Sequence, residues 1–376
     1  MKFTVPAEEI SSGLAAVTRV VSTRATLPIL ATVLIEAKDG VVELTGTNLD
    51  LSVHRAYPAE VDATGKCAIP AKLLAEFVGS LSSGSLSLEL EAKTSTLHLQ
   101  SGKFDAHIKG VDGEEFPPLP DITDGESVQI DADAFAKAVD QVGIATSADE
   151  ARPVYRGVLT SITGSTLTMV ATDGHRLAVA EIPTAGKKLE VAESIKAIVP
   201  ARALAEGSRL LKPLVGTGVN VTMTIGVTKA KFEVGAFEVT SSLIDGAYPE
   251  YSKVIPSSSE TVLRAGTEEM RATVKVVSVF AKDSANVVKV NASSASVVIS
   301  ANTNEVGDNT ALVEAEVTGE GVQIAFNARY VADLLKVIDS PEVEFRFNGP
   351  LSPGLALAAG DESFRYVIMP VRAAAA

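Results

Sequence analysis

Ala68-Ile69-Pro70-Ala71-Lys72, Ile198-Val199-Pro200-Ala201-Arg202 and Ala325-Phe326-Asn327-Ala328-Arg329 are three versions of one phrase. In each, an apolar pair passes through proline or asparagine into alanine and a basic residue, and an amphipathic helix follows. Ala71, Ala201 and Ala328 are spaced by 130 and 127 residues. A second landmark keeps step. Phe3-Thr4-Val5, Val128-Gln129-Ile130 and Thr261-Val262-Leu263 read as strands, each entering an amphipathic helix expected over 7–22, 132–146 and 267–282. A repeat the size of a domain, carried by two landmarks, implies three copies of one domain.

Alternation of apolar and polar residues fills the space between helices. Val41-Val42-Glu43-Leu44, Leu86-Ser87-Leu88-Glu89-Leu90, Val219-Asn220-Val221-Thr222-Met223 and Val343-Glu344-Phe345-Arg346-Phe347 read as half-buried strands. Lys38-Asp39-Gly40 and Thr163-Gly164-Ser165 read as hairpin turns. Each unit is then expected to run strand, helix, three strands, a strand-free preface, a second helix and three or four more strands. That is an α+β domain with two helices on one sheet face. Proline-bearing connectors at Phe116-Pro117-Pro118-Leu119-Pro120-Asp121 and Ala247-Tyr248-Pro249-Glu250-Tyr251 set the expected domains at 1–121, 122–248 and 249–376.

With aromatic residues at 5% and no tryptophan, the cores of this 376-residue chain must be aliphatic. The single cysteine, Cys67, excludes an internal disulfide and a thiolate cluster, and four scattered histidines argue against a metal site, so no cofactor or metal is expected. The opening Met1-Lys2-Phe3-Thr4-Val5-Pro6 does not read as a signal peptide, and no run approaches the ~18 apolar residues of a membrane span, so a soluble, cytoplasmic protein with no membrane partner is expected.

A net charge of −14 repels nucleic acid on average. Charge counted over the expected helices 7–24, 71–80, 131–148, 201–212, 267–283 and 328–339 nevertheless balances to zero, so the excess lies outside them. Gathered on one side, such helices would meet an anionic ligand through Arg24, Lys72, Lys137, Arg202, Arg209 and Lys275, with Arg19, Lys212, Arg329 and Lys336 as further candidates. Ordinary solvated faces with i,i+4 pairs explain the same charges.

No phosphate-cradling glycine loop, dinucleotide fingerprint, H-E-x-x-H or G-x-S-x-G occurs. The densest polar cluster is Ala171-Thr172-Asp173-Gly174-His175-Arg176-Leu177-Ala178. A hydrolase using Asp173 and His175 as acid and base is one reading. A turn with positive φ at Gly174, its backbone groups satisfied by Asp173 and His175, is the other.

This cluster, with Thr26-Leu27-Pro28-Ile29-Leu30, Ile244-Asp245-Gly246-Ala247-Tyr248-Pro249-Glu250-Tyr251 and Tyr366-Val367-Ile368-Met369-Pro370-Val371-Arg372, resembles the bacterial DNA polymerase III β subunit family, the sliding clamps. The resemblance runs from Met1 to Arg372. It implies a DNA-clamp fold with two helices and an antiparallel sheet pair in each domain, and a head-to-tail homodimer forming a six-domain ring around double-stranded DNA. The clamp would be a non-catalytic processivity factor that a separate ATPase loader opens, and Arg24 and Arg202 would face DNA.

The resemblance further implies a groove for short Leu/Phe-containing motifs of the replicative polymerase, the clamp loader and repair proteins. The matching positions are Arg152, Tyr155, Thr172, Gly174, His175, Arg176 and Leu177, then Pro249, Lys253 and Val254. From the third domain come Asn327, Tyr330, Leu351, Pro353, Val367, Met369, Pro370, Val371 and Arg372. Ring closure would pair Phe104, Ala106 and Ile108 with Val279 and Phe280 of the second copy. Departures from the family pattern are Tyr155 for an aliphatic residue, Lys253 for arginine, Ala285 for a bulkier residue, and the alanine tail after Arg372. Altered groove residues leave a clamp paralogue, conferring inhibitor resistance or serving a specialised polymerase, as the alternative.

Overall fold

A computed structural model describes the chain except residues 23–26, 120–121, 123, 186–194, 283–284, 295, 304–306 and 373–376. Arg24 and the alanine tail lie outside the described residues.

The first repeat runs β1 (Lys2–Pro6), α1 (Ala7–Val17), β2 (Thr32–Lys38), β3 (Val41–Thr47), β4 (Leu51–Pro58), β5 (Glu60–Ala63), β6 (Gly65–Pro70), α2 (Ala71–Gly79), β7 (Ser85–Glu91), β8 (Thr96–Ser101), β9 (Phe104–Lys109) and β10 (Val111–Asp112). The second runs β11 (Glu126–Asp131), α3 (Ala132–Gly143), β12 (Gly157–Thr163), β13 (Thr166–Thr172), β14 (Arg176–Pro183), β15 (Ile195–Pro200), α4 (Ala201–Leu211), β16 (Asn220–Ile225), β17 (Lys229–Val234) and β18 (Phe237–Ser242). The third runs β19 (Thr261–Gly266), α5 (Thr267–Ala281), β20 (Val287–Ala292), β21 (Val297–Thr303), β22 (Gly307–Val313), β23 (Ala315–Gly319), β24 (Val322–Asn327), α6 (Ala328–Val337), β25 (Glu342–Phe347), β26 (Gly354–Ala358) and β27 (Asp361–Ile368).

Among the described residues, all six α-helices start directly from a strand. The prefaces are therefore not strand-free: β6, β15 and β24 end on Pro70, Pro200 and Asn327, and the next alanine opens the helix. Pro6 and Pro70 suit this junction, because a proline's fixed φ matches an extended N-cap, here −62° and −50°, and its missing N–H leaves no donor unpaired. The opening residues Ala7, Ala71, Ala132, Thr267 and Ala328 are buried, so a small side chain is needed where helix meets sheet. The helices are shorter than the periodicity predicts. Helix α1 stops at Val17 rather than 22, and the chain tightens there into turns closed by the Arg19 and Val20 N–H groups, which donate to the Ala16 and Val17 carbonyls.

The chain divides into two compact units, Met1–Ala132 with Arg209–Leu243 and Asp133–Ser208 with Ile244–Ala376. In the first, nine strands in the order β10-β6-β2-β3-β4-β18-β17-β16-β11 form one sheet, and β5-β1-β7-β8-β9 form another. In the second, the nine-stranded order is β15-β12-β13-β14-β27-β26-β25-β19-β23, beside a sheet β22-β21-β20-β24. The expectation of two helices on a single sheet face is corrected accordingly: α1 packs on α2 and on β1 from one sheet and β3 and β4 from the other. Likewise α5 packs on α6 and on β19 to β22.

The long sheets are continuous from one repeat to the next through the antiparallel pairs β4–β18 and β14–β27. Most core residues are aliphatic, such as Ile10, Leu14 and Leu74 in the first unit and Val274, Val277, Leu334 and Leu335 in the second. The expectation of a purely aliphatic core is corrected, however: the largest fully buried side chains include Phe3, Phe135, Phe232, Phe326, Phe347 and Tyr366. Cys67 is buried, and burial pushes its thiol pKa up to about 12, which makes it a small core residue rather than a reactive one.

Candidate functional site

Strand β14 departs from strict alternation. Leu177, Ala178, Val179 and Ala180 are all buried, so the sheet carries apolar residues on both faces at its β14–β27 seam. Leu177 and Val179 join Val170, Leu355, Leu357 and Val367 in a cluster against which Leu159, Tyr248, Tyr251, Val254 and Ile255 pack. The connector lies over this second apolar face. Tyr248 donates its hydroxyl hydrogen to the Val170 carbonyl at 3.1 Å, and a 3-10 turn over Tyr251–Val254 places residues 251 and 254 on one side.

The turn between β13 and β14 forms the rim. One Asp173 oxygen accepts the N–H groups of His175 at 2.8 Å and Arg176 at 3.0 Å, and the other accepts Arg176 Nε at 3.0 Å. Thr172 donates its hydroxyl hydrogen to the Arg176 carbonyl at 2.6 Å and accepts the Gly174 N–H at 3.1 Å. Gly174 has φ +92°, as its Asp-Gly sequence predicts; a side chain would find space there but a strained backbone.

Arg176 ties this turn to the third repeat. Its guanidinium donates to Asp333 at 2.8 Å and to the Tyr366 hydroxyl at 3.4 Å, and stacks 4.4 Å from the centre of the Tyr330 ring. Burial disfavours its charge, yet Tyr366, Asp333 and Asp173 together hold its pKa above the ordinary value. Burial also works against the Asp333 carboxylate, but Arg176 and Lys336 keep its pKa below the usual range. The C-terminal segment closes the wall: Met369 N–H donates to the His175 carbonyl at 2.9 Å and Val371 N–H to the Ala325 carbonyl at 2.8 Å.

The result is an open, largely apolar groove of about 170 Å³ lying wholly within the second unit. Tyr155, Thr172, Gly174, Arg176, Leu177, Pro249, Val254, Val367 and Met369 line it, all expected from the sequence. Glu250 and Tyr251 line it too and were missed, although the 3-10 spacing from Val254 carries the signal for Tyr251.

The remaining expected positions do not line the groove. Exposed Arg152 pairs with Asp149 at 2.9 Å and lies over the Tyr155 ring, exposed Lys253 pairs with Glu250, and the His175 side chain is exposed. Asn327 caps α6 by accepting the Arg329 N–H at 3.0 Å, and Tyr330 stacks on Arg176. Leu351 is exposed, Pro353, Pro370 and Val371 are half-buried, and Arg372 is exposed. Ala285 sits in a left-handed turn after α5, at φ +54°, and does not line the groove.

The acid–base reading of Asp173 and His175 is not assembled, since the Asp173 oxygens serve the turn and Arg176, and no hydrogen bond joins its carboxylate to the exposed His175 ring. Lys72, Lys137, Arg202, Arg209 and Lys275 are all exposed on helices. Phe104, Ala106 and Ile108 lie on β9, an edge strand, with Phe104 exposed, Ala106 half-buried and Ile108 buried. Val279 is exposed on α5, so it is not core, and Phe280 is half-buried. The histidines are not all scattered: His98 and His107 are cross-strand partners with stacked rings. Among the described residues no helix is long and apolar enough to cross a membrane.

Three tandem copies of a two-helix domain whose sheets continue from one copy to the next define the DNA-clamp class of folds. Residues 1–120, 129–250 and 252–372 match the N-terminal, central and C-terminal domains of the DNA polymerase III beta subunit. The beta sliding clamps of Bacillus subtilis and Caulobacter vibrioides are each 31% identical, over 99% of this chain and 100% of theirs. The crystal structure of the Bacillus subtilis clamp superposes with a TM-score of 0.93 at 30% identity, covering 99% of both chains. A Pseudomonas aeruginosa clamp bound to griselimycin gives 0.93 at 26% identity, covering 99% of this chain and 100% of that one. The chain belongs to the DNA polymerase III β subunit family, and its function is that of a sliding clamp in DNA replication.

Proposed function

We propose that two copies of this chain close head to tail into a cytoplasmic ring of six domains that encircles duplex DNA without reading its sequence. Domains 1–121, 122–248 and 249–376 each contribute two helices. The exposed Lys72, Lys137, Arg202, Arg209 and Lys275, together with Arg24, face the phosphates through loose contacts that permit sliding. The acidic remainder of a chain of net charge −14 faces solvent and repels DNA. Closure pairs the β9 edge at Phe104, Ala106 and Ile108 with Val279 and Phe280 of the second copy, which removes an open sheet edge.

The ring does no chemistry of its own. It raises the effective concentration of a polymerase at its template by tethering it. The tether is the groove beside Met369, and the observation that carries this reading is its apolar lining, built over a hydrogen-bonded rim. Leu and Phe side chains of polymerase, loader and repair-protein motifs fill it, and Arg152, His175 and Lys253 offer polar contacts at its margin. A fluorescein-labelled peptide carrying such a motif should bind the full chain saturably and lose at least about tenfold affinity on Met369→Asp. Unchanged affinity in a folded variant would remove the groove from the reading.

A further inference from the structure

His98 on β8 and His107 on β9 stand directly opposite each other in the antiparallel register, and Asp105 lies two residues from His107 on the same face of β9. The two imidazole rings are parallel to within 3°, their centres 4.3 Å apart. One Asp105 oxygen is 3.0 Å from His98 Nε2 and the other 3.6 Å from His107 Nδ1. One ligand-type atom from each of the three residues lies within 4.8 Å of the others. Leu97, Leu99 and Ile108 are buried on the opposite face, so the cluster sits on the outward face of the five-stranded sheet and is open to solvent.

We propose that His98, Asp105 and His107 form a binding site for a divalent transition-metal cation of the Zn²⁺ type. Two imidazole nitrogens and one carboxylate oxygen are a donor set that such ions take readily and that Mg²⁺, which demands oxygen ligands, does not. Zn²⁺ bonds of about 2.0–2.2 Å require donor atoms roughly 3.4 Å apart, which side-chain rotation reaches from the observed spacing. Three protein ligands leave the fourth position to water. Glu89 stands opposite His98 on β7, but its carboxylate is paired with Lys2 Nζ at 3.1 Å, so it is not counted as a ligand. Phe104, Ala106 and Ile108 alternate onto the other face of β9, so the site is separate from the side chains assigned to ring closure, and its test does not depend on DNA or on dimer formation.

The full chain, stripped with a chelator, is titrated with ZnCl₂ at neutral pH in competition with a chromophoric chelator. One Zn²⁺ per chain is expected, at least about tenfold weaker in His98→Ala and in His107→Ala and unchanged in His54→Gln. A Zn²⁺-dependent rise in melting temperature present in the parent and lost in both alanine variants, which should melt with the parent when metal-free, reports the same site in folded protein. Absence of saturable uptake, or uptake that both alanine variants retain in full, would overturn the proposal.

Discussion

Arg176 concentrates more of the groove's architecture than any other side chain described, because it is 12% exposed and bonded to carboxylates from two repeats, Asp173 and Asp333. Replacing it with methionine keeps much of its length but strands both acids. Arg176→Met should cost about 2–4 kcal/mol in chemical denaturation and loosen the 172–177 turn enough to weaken peptide binding. The same pair predicts a pH dependence. The Asp333 carboxyl has a folded pKa below its unfolded value of about 3.9, so its contribution is full above that pH and is lost as pH falls through the folded pKa. Acid unfolding should therefore be shallower below about pH 4 in Asp333→Asn, measured by circular dichroism. Asp173 was legible as a turn residue from its Asp-Gly sequence. Its union with Asp333 was not, since the two lie 160 residues apart and nothing local to either announces the other.

At the scale of elements, the strand-to-helix junctions are the recurring device. Asn327 provides at β24–α6 the side-chain cap that Pro70 does not provide at β6–α2. Asn327→Ala should lower stability by about 1 kcal/mol, while Asn327→Asp retains most of it, by thermal melting. The repeat was readable because each phrase sits at such a junction, where the residue types are constrained on both sides. The sheets were read only in part. Periodicity reports which face of a strand is buried but not which strand lies beside it, so the pairs β4–β18 and β14–β27 were invisible. The apolar run Leu177-Ala178-Val179-Ala180, which breaks alternation, is a trace of the seam in the sequence, and the structure buries all four. The His98–His107 pairing could have been found from Gly102-Lys103, a two-residue hairpin turn that sets 98 opposite 107.

For the whole molecule, encirclement requires a closed assembly and DNA contacts too weak to arrest sliding. Val279 is 58% exposed, so Val279→Glu should leave the fold intact and shift the protein toward monomer in analytical ultracentrifugation. The groove should still bind peptide in that monomer, since every lining residue belongs to one unit of one chain. Family motifs in the sequence carried the expectation of a ring, whereas composition offered only near-neutral helices in an acidic chain, a pattern that ordinary solvated helices also produce. The most direct test loads the protein with a clamp loader onto nicked circular duplex, raises the salt until phosphate contacts are screened, and cuts half the sample to linear form. Topological linkage predicts retention on circles and loss from the cut ends. Equal retention, or equal loss, on both forms would contradict it.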